Sequence, residues 1–173
     1  DLLDFDKIKS GKMKVNDKVF SLTNFLENIK SHFTLRTQQK GIRFNIINEN
    51  QLPSNIIGDK LKLTQIINNL LGNALKFTAS GGITIKVKKL GINYNKINVM
   101  IRVIDTGIGI PKERQASIFE SCMQANSETS IKYGGSGLGL SITKKLLNLQ
   151  GSDLNVDSEE GGGATFSFQI TYK

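Results

Sequence analysis

Residues 83–105 read Ile-Thr-Ile-Lys-Val-Lys-Lys-Leu-Gly-Ile-Asn-Tyr-Asn-Lys-Ile-Asn-Val-Met-Ile-Arg-Val-Ile-Asp. Ile83, Ile85 and Val87 alternate with Thr84, Lys86 and Lys88, the period-two pattern of a half-buried strand. Ile97, Val99, Ile101 and Val103 repeat the pattern. Only a loop through Gly91–Lys96 separates the runs, so they pair as antiparallel neighbours. Gly81-Gly82 turns the chain into the first run.

Upstream, Leu22, Phe25, Leu26, Ile29 and Phe33 recur at three- and four-residue spacing, the stripe of an amphipathic helix. Gly41 ends it, and Ile42–Ile47 reads as a strand. Pro53 and Gly58 mark a loop. Asp59 then stands at a helix N-cap position before an apolar-rich run to about Phe77. Downstream, a short helix is expected near Glu113–Phe119, then a polar stretch from Gln124 to Tyr133. Gly134–Leu140 opens a further helix with Leu138, Ile142, Leu146 and Leu149 on one face and Gly151 as its stop. Leu154–Val156, a glycine turn at Gly161–Gly163 and Ala164–Thr171 supply the last strands. Strands come partly in hairpins rather than in regular alternation with helices. The pattern predicts an α+β fold: a two-layer α/β sandwich, with helices packed on one face of a mixed β-sheet.

The 173 residues suit one ordinary domain, and 38% hydrophobic with 22% charged residues is a globular composition. No apolar run is long enough to cross a bilayer, and no signal peptide opens the sequence. The single cysteine, Cys122, fits a reducing, cytoplasmic setting, although a parent protein could be membrane-anchored. The net charge is +8, but the lysines are scattered and lack interleaved aromatics. A solvated basic surface suited to a polyanionic nucleotide is the reading. Neither nucleic acid nor direct membrane contact is expected.

Three segments carry chemistry. Gln65, Asn69, Asn73 and Lys76 lie along one face of the helix after Asp59, among Ile66, Ile67, Leu70, Leu71, Ala74 and Leu75. Asparagine is a mediocre helix former, and glutamate or lysine would serve a wet face better. Two asparagines one turn apart on a mostly buried helix suggest amide carbonyls aimed at a hydrated cation, with Lys76 beside them for phosphate. Asp105-Thr106-Gly107-Ile108-Gly109 follows directly on a strand. An acid there can accept a hydrogen bond from an exocyclic amine, and the glycines let backbone approach a ligand. Gly135, Gly137 and Gly139 alternate just before a helix, which makes a phosphate cradle. No Gly-Lys-Ser/Thr follows, so it is not a Walker A loop.

In this order the segments resemble sensor histidine kinases. Asn69–Thr78 is similar to their N box, Asp105–Gly109 to the first glycine box, Ile118-Phe119-Glu120 to the F box and Gly135–Leu140 to the second glycine box. Asp59 and Gln65 fall where that family keeps an Asp and a Gln. Leu2–Ile8 resembles the end of the dimerisation domain's second helix, so residues 1–12 are expected to be its terminal turn and linker, and residues 13–173 the catalytic ATP-binding domain. The resemblance, which leaves open a hybrid kinase as parent, implies the Bergerat fold and these roles. Asp105 binds the adenine amine, and Gly107, Gly109 and Ile110 line the adenine end. Asn73 coordinates magnesium, with Asn69 close to the metal and phosphates. Lys76 contacts phosphate. Lys132, Gly135, Gly137, Leu138, Gly139 and Leu140 belong to the lid and phosphate end, and Thr165 supports the aspartate. ATP and Mg2+ are the implied cofactors. The implied partners are the dimerisation and histidine phosphotransfer domain of the same kinase and a downstream response regulator receiver domain. Asn69 stands where hydrolysing relatives carry a glutamate that activates water. An amide is no general base at neutral pH, so slow hydrolysis is expected.

The sequence also departs from the family pattern. The one histidine, His32, lacks an acidic neighbour on its C-terminal side and a following proline, so the acceptor is expected in another domain. Cys122 replaces a frequent phenylalanine four residues before Asn126, and Lys62 a frequent arginine. The competing readings are a nucleotide-binding pseudokinase module, a hydrolysing Bergerat-fold ATPase, and a serine kinase of the anti-sigma type.

Overall fold

The computed structural model describes residues 13–120 and 138–173. The expectations for residues 1–12 and for Cys122, Lys132, Gly135 and Gly137 lie outside these. Elements run in the order β1 (Lys18–Phe20), α1 (Leu22–Gln39), β2 (Arg43–Asn48), β3 (Ile56–Gly58), α2 (Lys60–Phe77), β4 (Gly82–Asn93), β5 (Lys96–Asp105) and α3 (Lys112–Gln115). A 3-10 turn at Ser117–Phe119 follows, then α4 (Gly139–Asn148), β6 (Asn155–Glu159) and β7 (Gly163–Tyr172).

Five strands form one mixed sheet in the order β2-β4-β5-β7-β6. β2 runs parallel to β4, and the other neighbours are antiparallel. The hairpin expected from residues 83–105 turns at Tyr94 and Asn95, both at positive φ, the backbone of a tight hairpin turn. Register stacks the apolar positions in rows. Ile85 faces Val103, which faces Phe166; Val87 faces Ile101, which faces Phe168. All six are buried. The opposite face presents Lys86, Arg102, Ser167 and Gln169 at partly or fully exposed positions.

The helices cover the apolar face. Leu22, Phe25, Leu26, Ile29 and Phe33 of α1 are buried, as are Leu63, Ile66, Ile67, Leu70, Leu71 and Ala74 of α2. Each of the leucine, isoleucine and phenylalanine side chains among them contributes about 1.5–3 kcal/mol on removal from water. Ser21 caps α1 by accepting from Asn24 N at 3.2 Å, and Asp59 caps α2 by accepting from Lys62 N at 3.0 Å. The Asp59 carboxylate also takes the Lys62 ammonium at 2.6 Å and the backbone N–H of Asn16 at 2.8 Å.

Local reading and structure differ at four places. Gly91–Asn93 and Lys96, read as loop, extend β4 and β5. β1 and β3 pair antiparallel with each other, where Pro53–Gly58 reads as loop. Strands of three residues are too short to show alternation, and their partners are distant in sequence. The helix expected at Glu113–Phe119 divides into α3 and the 3-10 turn. On α4, Leu149 is exposed and Leu147 takes the buried position beside Ile142 and Leu146.

Candidate functional site

Asp105 ends β5 in the same parity as Ile97, Val99, Ile101 and Val103, so it lies on the core-facing side of the sheet. Its partners across the sheet are Ile83 and Ala164, and it is 7% exposed. Burial raises its carboxyl pKa above the ordinary range, against the opposing pull of the Gly107 and Ala164 backbone N–H groups. The Gly107 N–H donates to Oδ1 at 2.8 Å. The carboxylate stands at the end of an apolar row, with no cation paired to it among the described residues, and can accept a hydrogen bond from a donor.

The loop after Asp105 is tied on both sides. Ile108 N donates to Phe77 O at 3.3 Å, which sets the loop against the last turn of α2. Gly161 N donates to Ile108 O at 2.7 Å, and Ile110 N to Ser158 Oγ at 2.9 Å, which sets it against the β6–β7 turn. Ser158 in turn donates to Gly163 O at 2.6 Å, and Gln115 Nε2 donates to both Ile110 O and Ser158 O. Nothing in the local sequence pattern marks Ser158 or Gln115. The glycines answer to this packing. A Cβ on Gly109, at φ +70, would lie 1.8 Å from Glu159 O, and one on Gly107 would lie 2.5 Å from Phe77 O.

Thr165 is not brought to Asp105. Its register partner is Ile104, and strand parity puts it on the opposite face of the sheet. Ala164, which carries no hydroxyl, stands across from the aspartate.

α2 places Asn69, Asn73 and Lys76 on one partly exposed stripe, running toward the Phe77 carbonyl that receives Ile108. Asn69 Nδ2 lies 3.3 Å from Gly139 O and 3.3 Å from Thr143 Oγ1, joining α2 to the first turn of α4. The Lys76 ammonium sits 4.8 Å from the centre of the Phe77 ring. Lys40 donates to Leu75 O, and to Lys76 O at 3.4 Å, a cation at the carbonyl end of α2 that local spacing gave no reason to expect. Leu138 precedes α4 and accepts from Ile142 N at 2.9 Å, while Leu140 is buried.

His32 is exposed on α1, edge-on to Phe33 with ring centres 5.2 Å apart. It lines a groove of about 280 Å³ between α1 and the first half of α2, together with Ile29, Lys60 and Asn68. None of the residues assigned to the nucleotide lines that groove.

Three segments distant in sequence thus converge: the Asp105–Ile110 loop, the second half of α2 and the start of α4. This is the arrangement of a Bergerat-type ATP site. Residues 58–173 match the family described as "Histidine kinase-, DNA gyrase B-, and HSP90-like ATPase", and the chain belongs to that family. Within it, relatives similar to this chain along nearly all of its length are histidine kinases. The signal transduction histidine-protein kinase BarA of Escherichia coli (strain K12) is 39% identical over 170 residues, covering 98% of this chain and 18% of BarA. The autoinducer 2 sensor kinase/phosphatase LuxQ of Vibrio vulnificus (strain CMCP6) is 38% identical over 172 residues, covering 98% of this chain and 20% of LuxQ. The chain therefore spans about a fifth of these relatives. Full-length ShkA, solved in complex with AMPPNP, superposes with a TM-score of 0.83 at 30% identity, covering 98% of this chain and 34% of ShkA.

Proposed function

We propose that this domain binds Mg-ATP and transfers the γ-phosphate to a histidine on the dimerisation and phosphotransfer domain of the same kinase, from which a response regulator receiver domain is served. One observation carries the reading: the buried Asp105 carboxylate, which has no cation partner among the described residues, is packed, through Gly107 and Ile108, against the turn of α2 that presents Asn73 and Lys76. In this reading Asp105 accepts from the adenine amine, with Gly107, Gly109 and Ile110 at the base. Lys76 neutralises phosphate. Asn73 offers an amide oxygen to magnesium, with Asn69 next to it. The first turn of α4, at Leu138, Gly139 and Leu140, faces the phosphate end, with Lys132, Gly135 and Gly137 in the preceding segment. Thr165 has no part, because it lies on the other face.

The donor set suits magnesium. Among the described residues no cluster of three His, Cys, Asp or Glu side chains exists. Magnesium keeps several waters and is commonly held by one or two side chains plus substrate phosphates, which amide oxygens on α2 can complement. The cation would neutralise charge on the transferring phosphoryl group. His32 is set aside as an acceptor, since it faces the α1–α2 groove. Among the described residues no helix is long and apolar enough to cross a membrane. Residues 13–173 are taken as the catalytic unit, residues 1–12 as the link to the dimerisation helix, and the cytoplasm as its place of work. Nucleic acid and membrane contact form no part of the reading.

The test is calorimetry with a non-hydrolysable ATP analogue, with and without magnesium, followed by phosphorylation of a supplied dimerisation domain. Binding strengthened by magnesium, then labelling of the supplied histidine, is the expected result. Binding without any labelling would leave a pseudokinase; absence of binding would remove the nucleotide site itself.

A further inference from the structure

Asn69 is held from the side of α4, and the chemistry of its two neighbours fixes which way its amide points. Gly139 O can only accept, so the Asn69 atom 3.3 Å away must be the NH2 group. The Thr143 hydroxyl donates its one proton to Gly139 O at 2.8 Å. Its oxygen then has only lone pairs to offer to Asn69, again at 3.3 Å, and again only an N–H fits. The amide orientation follows here from the partners. Thr143 is fully buried, and Asn69 and Gly139 are partly buried.

We propose that Thr143 is a positioning residue for Asn69. With Gly139 O it forms a clamp that takes the NH2 end of the amide and turns the carbonyl oxygen away from α4, onto the stripe shared with Asn73. The clamp rests on the nucleotide reading above for its purpose, but its geometry stands without any ligand. It also selects the residue type. A carboxylate at position 69 would set an oxygen against Gly139 O and against a hydroxyl whose proton is already committed. The two could be reconciled only by rotating the Thr143 hydroxyl away from its carbonyl, or by turning the side chain out of the clamp. The pair therefore favours the residue that cannot activate water and disfavours the one that can.

The test uses Thr143→Val, which removes the hydroxyl at nearly constant shape, Thr143→Ser, which keeps it, and Thr143→Ala, a smaller helix former held in reserve should the valine variant not fold. The first readout needs no nucleotide: hydrogen exchange of the Asn69 side-chain NH2, followed by NMR on the 15N-labelled domain. Exchange in the valine and alanine variants is expected to be about tenfold faster than in the parent, and parent-like in the serine variant. The second readout is affinity for AMP-PNP with and without magnesium. The valine variant should lose about three- to tenfold of the magnesium-dependent gain and keep its magnesium-free affinity, while serine restores the parent value. Parent-rate exchange in the valine and alanine variants would overturn the clamp. So would an equal loss of affinity with and without magnesium, which is the mark of a merely structural threonine. If the parent itself bound no analogue, the nucleotide reading would fall, and the exchange measurement would still decide the clamp.

Discussion

Replacing Asp105 by asparagine should move stability and nucleotide affinity in opposite directions. The side chain is 7% exposed and has no cation partner among the described residues, and burial raises its pKa. A carboxyl whose folded pKa lies above its unfolded value stabilises fully below the unfolded value, and that contribution is lost as pH rises through the folded one. At neutral pH the ionised group is therefore a cost to the empty domain. Asparagine removes the charge and still offers Oδ1 to the Gly107 N–H, so the variant should melt at or above the parent. The same change puts an NH2 where an adenine amine needs an acceptor. A hydrogen bond to a charged acceptor contributes about 1.5–3 kcal/mol, so affinity should fall about ten- to hundredfold. Thermal melts at pH 7 and calorimetry with AMP-PNP and magnesium read the two effects. The parent's affinity should also decline on acidification at a higher pH than an ordinary carboxylate would dictate, whereas the variant's should stay flat. A variant that melts lower and binds equally well would refute the reasoning on both counts, leaving Asp105 a structural acid.

Asp59→Ala should destabilise the domain by about 3 kcal/mol in urea melts, because Lys62 loses its partner in a site 12% exposed and α2 loses its cap. Burial raises the Asp59 pKa, but the Lys62 ammonium and two backbone N–H donors outweigh it and hold it below the ordinary value. The parent should accordingly lose this stability as pH falls through the lowered pKa, a loss that pH-dependent melts of Asp59→Asn should not show. Gly109→Ala adds a Cβ 1.8 Å from Glu159 O at φ +70, and should cost about 2–4 kcal/mol and loosen the Ile108–Gly161 tie, visible as faster amide exchange at Gly161. Asn69→Glu should leave steady-state ATP hydrolysis within a few-fold of the parent in a coupled assay; a rise of a hundredfold or more would mean that an acid at this position suffices.

Much of this was legible in sequence because it rests on short-range order. Period-two alternation announced β4 and β5, and the Asp59 cap together with an unbroken apolar run announced α2. The polar stripe and the Asp105 turn stood out because asparagine and glycine are poor choices unless something requires them. What stayed hidden depends on partners far along the chain. β1 and β3 are too short to carry a pattern. Ser158 reaches Ile110 and Gly163 only through the β6–β7 fold-back, and Thr143 reaches Asn69 only because α4 packs on α2. Thr165 shows the converse error. The resemblance assigned it to the support of the aspartate, but a strand sends neighbouring side chains to opposite faces, and the register gives that place to Ala164.

The three-residue strand β3 has a consequence for how a movement at one end of the domain reaches the other. Its Ile57 exchanges two backbone hydrogen bonds with Lys173, and its other side pairs with β1. Both ends of the described chain thus meet at one pole, beside Ile97 and Tyr172, while Asp105 and Ala164 mark the other end of the same two strands. Ten residues of strand separate the poles by roughly 30 Å. α2 spans the same gap, from the Asp59 clamp that grips Asn16 to the turn bearing Asn73 and Lys76. The geometry is that of a lever: a rotation of only 10° about the β3 pole sweeps the far tip by about 5 Å.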